Sequence, residues 1–293
     1  MTIFNFLKLG LRSRVFVSCF LLVATTTLTA QDGITVIIRS DDMGFCHAVN
    51  DACMKVYKDG ISRSVEILAP SPWFMETVNL LKDETGYDVG VHLCLTSEWD
   101  NIRWRPLTNV PGLVDVDGYF PKWIWKNKNK PGDDYLLSRP VNIDEVEKEL
   151  RAQIELVKKY LPRVSHLSNH MGVDDANAEV GALIKRLASE YGLFLDFPAE
   201  AKPIRGFGGS GKSPAQKSKE LAGLLRALTP GVYYLVDHPG YDNAEMQKIN
   251  QGNQQNVAYD RYGVTVAFTS PEVKKVIKEK KIRLVSIKEA FTK

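Results

Sequence analysis

The chain contains 293 residues, of which 44% are hydrophobic and 25% charged, and its formal net charge is +3. The first thirty residues carry three of the basic residues and no acidic residue, so the remaining 263 residues are formally neutral. A neutral chain of this size gives no electrostatic reason to expect nucleic acid or an anionic membrane as a partner. It is long enough to bury the core of one large domain.

The N-terminus has the three-part layout of a secretory signal peptide. Three basic residues precede an uncharged run over residues 15–24, and a Thr-rich stretch then leads to Ala30. This run is short for a membrane span. We therefore expect residues 1–30 to be removed and residues 31–293 to form a single exported domain, periplasmic or secreted, without a membrane anchor. An uncleaved anchor is the alternative.

Strand-like apolar runs alternate with helical patterns along the rest of the chain, an order typical of parallel strands joined by crossover helices. The clearest helix is predicted over residues 143–160, where apolar residues such as Val146 and Leu150 recur on one stripe. Residues 97–140 are predicted to form a long functional loop. The predicted strands are 34–39, 64–68, 88–95, 164–168, 193–196, 232–236 and 283–286, and the other predicted helices are 47–58, 73–83, 176–190 and 214–228. The fold class is therefore α/β.

Acidic residues and imidazoles stand at the carboxyl ends of these strands, where sites collect in α/β sheets. The candidates in chain order are Asp41 and Asp42, then His92, His170 and His238. Each alone is more typical of structure, since an Asp after a strand often caps a helix and a lone His is often a core residue. Together they favour a metal site with open positions, because imidazole nitrogen and carboxylate oxygen are common metal ligands.

Several short motifs occur in an order that is more specific than any one of them. They are Ser40-Asp41-Asp42-Met43-Gly44 with Asn50, Gly60-Ile61-Ser62-Arg63-Ser64-Val65, Gly90-Val91-His92-Leu93 with Leu95-Thr96, Glu149 with Gln153, and Arg261 with Thr269-Ser270-Pro271-Glu272. In this order the chain resembles the YdjC-like (ChbG/HpnK) carbohydrate deacetylase family over nearly all of residues 34–291.

The resemblance implies a seven-stranded, TIM-barrel-like α/β barrel, related to polysaccharide deacetylases. It implies a divalent metal bound by Asp42, His92 and His170. The family is usually associated with magnesium, although this ligand set also suits zinc, manganese, iron or cobalt. The implied reaction removes acetyl groups from N-acetylated sugars, with a metal-activated water, Asp41 as general base and His238 as general acid. A homodimer is also implied, although the sequence shows no interface signal.

One motif departs from the family pattern. Where the family has Asp-Ser-His-Gln-His, this chain reads Ser168-Asn169-His170-Met171-Gly172. The ligand position at His170 is kept, but the first Asp and the second His are missing. The departures therefore concern the hydrogen-bonded support of the ligands and the choice of substrate rather than the ligands themselves.

Substrate contacts are expected from two sources. Arg261 and Asn50 belong to the family motifs, and Trp99 and Trp104 lie in the long loop. All five tryptophans fall between positions 73 and 125, and aromatic faces suit a sugar ring. The alternative is that the tryptophans anchor the loop to the body of the protein.

Residues 206–213 match the P-loop expression for nucleotide binding, but their context is wrong. No apolar strand leads into the motif, and Pro214 follows at once, where a phosphate-binding helix needs free amides. We therefore expect a loop before helix 214–228 and no bound nucleotide.

Two other functions stay open at this point. A glycoside hydrolase could pair Asp41 with Glu66, Glu98 or Asp196, but this leaves the histidine positions unexplained. A non-catalytic protein that binds metal and sugar would fit if the departures at positions 168 and 172 disable the site.

Three cysteines remain after residue 30, namely Cys46, Cys53 and Cys94. Three thiols cannot all pair, and the first two would lie about 10 Å apart along one helix. We therefore predict buried free thiols rather than a disulfide framework.

Overall fold

Eight parallel strands form one sheet in the part of the chain that the structure describes. The structure is a computed structural model and describes residues 33–126, 134–209, 211–249 and 256–292. The strands are β1 (Ile34–Met43), β2 (Ser64–Ile67), β3 (Asp88–Leu93), β4 (His166–Asn169), β5 (Phe194–Leu195), β6 (Lys202–Pro203), β7 (Gly231–Asp237) and β8 (Arg283–Val285). Every predicted strand has a counterpart here. Only β6 was not predicted, because two exposed residues that include a proline carry no strand pattern.

The sheet is open. Its strand order is β5-β4-β3-β2-β1-β7-β6, and β8 pairs with the first half of β1. Within the described residues β5 pairs only with β4, and β6 only with β7, so the two edges do not join. The α/β class is confirmed, but the expected seven-stranded TIM-barrel-like barrel does not close. Strands of two residues are too short to continue the ladder across the gap, and the result is a parallel half-barrel.

Helices connect the strands. They are α1 (His47–Lys58), α2 (Phe74–Leu81), α3 (Ile143–Tyr160), α4 (Ala178–Tyr191), α5 (Pro214–Ala227), α6 (Val257–Thr269), α7 (Pro271–Glu279) and α8 (Ile287–Phe291). All five predicted helices are present, and α1 and α3 have the predicted bounds. Helix α6 was missed because it packs against α1, α5 and α7, so its buried residues surround it instead of forming one stripe.

Side-chain caps fix where several helices begin. Asn142 and Asn177 accept backbone amide hydrogens at the starts of α3 and α4. Ser213 accepts from the amide of Gln216, whose side chain accepts in turn from the amide of Ser213. Ser213 is thus the cap of α5, as the loop interpretation of residues 206–213 requires. None of the described helices is both long and apolar enough to span a membrane, and the predicted signal peptide lies outside the described residues.

β1 is buried along its whole length, since both faces of the sheet are covered. Val36 and Ile38 face the apolar cluster formed with α5, α6 and α7, whereas Ile37 packs against Val285 and Ile287 on the concave side. Arg39 and Asp41 continue the face of Ile37, because alternate residues of a strand point the same way. The concave side therefore has an apolar floor and charged side chains at the carboxyl ends of the strands.

Gly90 makes room for a buried ion pair on this concave side. It is directly opposite Glu66 on β2 and His166 on β4. A Cβ atom at position 90 would overlap both the Glu66 carboxylate and the His166 ring, which lie over the glycine. The glycine of the Gly90-Val91-His92-Leu93 motif is therefore required by close packing.

Replacing Gly90 by alanine is expected to lower the free energy of unfolding by about 1–3 kcal/mol, the usual cost of overpacking a core. Chemical denaturation would measure this. Gly223→Ala on α5 is the matched control, because its added Cβ meets nothing within 4 Å and should be neutral or mildly stabilising. Equal stability of the two alanine variants would contradict the packing argument.

Candidate active site

A cavity of about 420 Å³ opens where the carboxyl ends of β1, β3, β4 and β7 meet. Seven of the residues predicted from sequence line it: Asp41, Asp42, His92, Trp99, His170, His238 and Arg261. They span more than 200 positions, and parallel strands bring them to one edge.

Asp41 and Asp42 both reach the cavity, although neighbours in a regular strand point to opposite faces. The cause is local. The pairing of β1 with β2 shifts register between Ser40 and Met43, and Asp42 has a left-handed backbone with φ of +70°. This conformation is uncommon outside glycine but is tolerated by Asp and Asn. The irregularity lets one strand end supply two carboxylates to one site.

Asp42, His92 and His170 converge on one point. Each offers a ligand atom within 4.8 Å of the other two. Asp42 Oδ1 lies 3.7 Å from His92 Nε2 and 3.4 Å from His170 Nδ1. The other oxygen, Oδ2, accepts a hydrogen bond from Arg261 Nη2 at 2.7 Å. Burial raises the pKa of Asp42, but Arg261, His238 and His170 lower it by more, so this pKa lies well below its usual range.

A divalent metal fits this arrangement. Among the described residues Asp42 Oδ1 is one of a few buried side-chain atoms without a hydrogen-bond partner, and a cation there would satisfy it. One carboxylate and two imidazoles leave open positions for water and substrate, as catalytic metal sites do. The residues that would hold the metal are therefore Asp42, His92 and His170.

Glu98 supports one of these imidazoles. Its Oε2 lies 3.0 Å from His170 Nε2, the nitrogen that faces away from Asp42. Burial lowers the pKa of His170, but Glu98 and Asp42 raise it to about 10, so a metal bound at Nδ1 would have to displace a proton. A carboxylate behind a metal-binding imidazole fixes the ring and makes it a stronger ligand. This contact was not predicted from the sequence, where Glu98 was considered only as a glycosidase acid. The one sequence feature that pointed to it is that Glu98 follows the motif ending at Thr96 by two residues.

The surroundings of His92 favour the neutral imidazole. Burial lowers its pKa, and the nearby His170 lowers it further, so it lies well below the usual value. The neutral ring is the form that binds metals. Its Nδ1 lies 2.7 Å from Ser168 Oγ, so the serine that replaces the family's Asp contacts the imidazole directly.

Asp41 is held by Arg39. Arg39 donates from Nε to Oδ1 at 2.8 Å and from Nη2 to Oδ2 at 2.9 Å, which is a bidentate ion pair between buried groups. Asp41 Oδ2 lies 3.7 Å from His92 Nε2, on the side of the candidate metal ligands. Each carboxylate oxygen keeps a second lone pair, so Asp41 can still accept a proton from a water in the cavity.

His238 follows β7 and is the more exposed of the site histidines, with 42% of its side chain accessible. Its Nε2 lies 3.9 Å from Asp42 Oδ2 and its Nδ1 3.5 Å from Asp237 Oδ1. Partial burial lowers the pKa of His238, but Asp42 and Asp237 raise it by more, which favours the protonated ring. Position and charge state suit a proton donor to a leaving group.

Two predicted substrate contacts do not line the cavity. Trp104 is 3% exposed and packs edge-on against Phe45. Asn50 is fully buried, and its Oδ1 accepts from the amide of Gly44 while its Nδ2 donates to Glu76. Both side chains pack inside the protein here: Trp104 lies against Phe45, and Asn50 bonds the turn after β1.

Trp99 and Arg261 do line the cavity, but they also support each other. Trp99 stacks on Phe45 with ring centroids 5.1 Å apart, and the Arg261 guanidinium lies 5.3 Å from the Trp99 ring centroid. Arg261 is therefore placed by an aromatic wall and bonded to Asp42. Only the part of its guanidinium that faces the cavity could therefore contact a substrate.

Trp125 was not chosen as a substrate contact from the sequence, yet its exposed indole lies beside Gly172. It is 45% exposed, and a Cβ at position 172 would lie 3.4 Å from its Cη2 atom. The indole thus covers the place where the family motif carries a second histidine. A glycine at this position leaves the indole free of a neighbouring side chain there.

Glu66 is too deeply buried to act as a glycosidase acid. Its ion pair with His166 also makes the stability of the protein depend on pH. Glu66 is fully buried beneath the cavity and bonded to His166 Nε2 at 2.5 Å, so it cannot reach a sugar. Burial raises the pKa of Glu66, but His166 and Arg39 lower it overall from 4.5. Burial lowers the pKa of His166, but Glu66 and Asp88 raise it overall from 6.5.

The Glu66 contribution to stability is complete above pH 4.5 and is lost as the pH falls through its lowered pKa. The His166 contribution is complete below pH 6.5 and is lost as the pH rises through its raised pKa. The variant Glu66→Gln/His166→Asn lacks both charges. The free energy of unfolding of wild type should therefore exceed that of this variant by the largest amount between pH 4.5 and pH 6.5. Denaturant titrations across the pH range would measure it, and parallel pH profiles for the two proteins would contradict the prediction.

An open parallel α/β sheet with carboxylates and imidazoles gathered at the carboxyl ends of its strands is the arrangement of an enzyme. A family model described as "YdjC-like protein" matches residues 35–279. The chain belongs to the YdjC-like family. The resemblance seen in the motifs is thereby confirmed.

Named relatives agree with this. The chain is 29% identical to a carbohydrate deacetylase of Thermus thermophilus, covering 83% of this chain and 89% of the relative. It is 25% identical to a carbohydrate deacetylase of Listeria monocytogenes, covering 87% and 99% respectively. A solved structure from Enterococcus faecalis, described as that of a candidate cellobiose-phosphate cleavage protein, aligns with a TM-score of 0.69 at 25% identity over 88% of this chain and 98% of that one.

Proposed function

We propose that the protein is a metal-dependent carbohydrate deacetylase that hydrolyses acetyl groups from N-acetylated sugars or oligosaccharides. The observation that carries the proposal is the convergence of Asp42, His92 and His170 with Asp41 beside them in one cavity. The names of the relatives in the family point to the same activity. The predicted relation to polysaccharide deacetylases stays a prediction.

The residues around the cavity have different roles in the proposed amide hydrolysis. A bound divalent metal would polarise the acetamide carbonyl and make a water more acidic. Asp41, oriented by Arg39, accepts the proton of the attacking water. His238 stands on the Asp42 Oδ2 side and donates a proton to the sugar nitrogen as it leaves. The products are acetate and a free amino sugar.

The cavity sets the scale of the substrate. A volume of about 420 Å³ lies in the range of small-molecule sites and suits a short saccharide. Arg261 and Trp99 are the proposed contacts from the cavity wall, and the exposed Trp125 is a further aromatic surface at the side of Gly172.

Two imidazoles and one carboxylate favour zinc or manganese, whereas the family resemblance favours magnesium. We propose a divalent metal of this group and leave the choice to titration. Export after removal of residues 1–30 and assembly as a homodimer likewise remain proposals from the sequence.

The proposed function is tested by acetate release from N-acetylated mono- and oligosaccharides. Chelator treatment should abolish release, and addition of one divalent metal should restore it. Sugar binding without acetate release in the metal-loaded protein would favour a binding protein. Cleavage of glycosidic bonds that resists chelation would favour a glycoside hydrolase.

A further inference from the structure

A row of polar side chains crosses three neighbouring strands beneath the candidate metal ligands. Glu66, Gly90 and His166 are register partners on β2, β3 and β4, and the next partners on the same face are His92 and Ser168. Glu66, His166 and Ser168 are all fully buried. The row therefore joins the imidazole of His92 to an ion pair that no substrate can reach.

The directions of the hydrogen bonds follow from counting protons. Ser168 has one hydroxyl proton, which it donates to Glu66 Oε2. Its oxygen can then only accept from His92 Nδ1, 2.7 Å away, so this nitrogen carries the proton. The other nitrogen, Nε2, is left with a free lone pair. It lies 3.7 Å from both Asp41 Oδ2 and Asp42 Oδ1, on the side of the metal site.

The same counting defines the far end of the row. Ser165 donates its hydroxyl proton to Asp88 Oδ1 at 2.6 Å, so its oxygen accepts from His166 Nδ1 at 2.7 Å. His166 Nε2 faces Glu66 Oε1 at 2.5 Å. Both nitrogens of His166 are donors, which makes it an imidazolium that holds the Glu66 carboxylate in place.

The carboxylate in this row stands on a different strand from the one in the family motif. Position 168 on β4 lies beside His92, and this chain has a serine there, where the resemblance implies an acid. Glu66 on β2 reaches across Gly90 to the Ser168 hydroxyl, and the absence of a side chain at Gly90 makes the crossing feasible. Glu66 therefore supports His92 through the Ser168 hydroxyl, instead of a carboxylate that contacts the imidazole directly.

We propose that Glu66, acting through Ser168, is a positioning residue that fixes the orientation and tautomer of His92 so that Nε2 is presented to the metal. This inference rests on the proposed function, because it assigns a role to the metal ligand set. Outer hydrogen bonds of this kind orient metal-binding imidazoles and tune their affinity.

The test measures metal affinity rather than activity alone. Apo-protein would be titrated calorimetrically with zinc and with manganese for wild type, Ser168→Ala, Glu66→Ser and Glu66→Ser/Ser168→Asp. Each single variant should bind metal about 10–100-fold more weakly. The double variant, which moves the carboxylate back to β4, should bind markedly more tightly than Glu66→Ser.

Ser165→Ala is the matched control. It removes a serine from the same buried row, but at the end away from His92, so it should lower the melting temperature without changing metal affinity. In Ser168→Ala the buried Glu66 and His166 remain paired with each other. This variant therefore still tests the inference if Glu66→Ser does not fold. Wild-type affinity in Ser168→Ala, or a double variant no tighter than Glu66→Ser, would overturn the inference.

A second measurement separates this inference from the proposed function. Nitrogen NMR of histidine-labelled apo-protein should show His92 protonated at Nδ1 in wild type and a mixture of tautomers in Ser168→Ala. If wild type binds no divalent metal, the deacetylase proposal fails and the metal-presenting role fails with it, even if His92 shows this tautomer. If it binds metal and releases acetate but His92 carries its proton on Nε2, only the positioning role fails.

Discussion

Asp42→Asn should weaken divalent metal binding by more than about 100-fold. This exceeds the effect expected when only a hydrogen-bond partner of a metal ligand is replaced. Oδ1 of Asp42 is the atom that lies between the two imidazoles without a partner. An asparagine keeps an oxygen for Arg261 and so turns its NH₂ group, which cannot ligate a cation, towards the metal position. Acetate release should then fall below detection at metal concentrations that saturate wild type.

Asparagine is the right substitution here because position 42 has a left-handed backbone, which Asn tolerates and Ala does not. Calorimetric titration of the apo-protein measures affinity, and the melting temperature checks the fold. Asp51→Asn, the same change on a carboxylate of α1 with a side chain 46% exposed, is the matched control. Wild-type metal affinity in Asp42→Asn would remove Asp42 from the ligand set.

Asp41→Asn should lower kcat by about 10²–10⁴-fold, the usual contribution of a general base. The neutral amide cannot take the proton of water, although it can still accept one hydrogen bond from Arg39. Metal affinity should remain close to that of wild type, because Asp41 is not among the three converging ligands. Assays of acetate release at saturating sugar and metal would measure the effect.

The two variants are distinguished by adding metal. Raising the metal concentration should recover some activity in Asp42→Asn and none in Asp41→Asn. Because Arg39 loses one half of a buried bidentate pair, a lower melting temperature is also expected for Asp41→Asn. A kcat within a few-fold of wild type in a folded Asp41→Asn protein would reject its role as general base.

Much of the fold could be predicted because its signals are local. The helix His47–Lys58 and the helix Ile143–Tyr160 have the predicted bounds, since each carries an apolar stripe that faces the sheet. Closure of the sheet could not be predicted in this way. It depends on whether Phe194–Leu195 and Lys202–Pro203 find partners across the gap, and sequence patterns of two residues contain no such information.

The candidate site was predictable where a residue's position at a strand end brings it to the cavity. Asp42, His92 and His170 follow or end strands, and the family motifs select them from other polar residues. The supporting residues were not predictable, because Glu98 and Glu66 meet their histidines only through register and loop path. Asn50 and Trp104 were assigned to the substrate because a motif or a residue type does not distinguish a packed side chain from one that faces a cavity.

The three buried cysteines affect how the metal site can be studied. Cys46, Cys53 and Cys94 are free thiols, as predicted, and burial raises the pKa of each, to about 12 for Cys46. The thiolate is the reactive form, so these side chains resist oxidation and alkylation while the protein is folded. Purification and titration can therefore proceed without dithiothreitol or similar reductants, which themselves chelate zinc and would compete with the site. Slow alkylation of the thiols can also report local opening around the ligands, because it requires the core to open first.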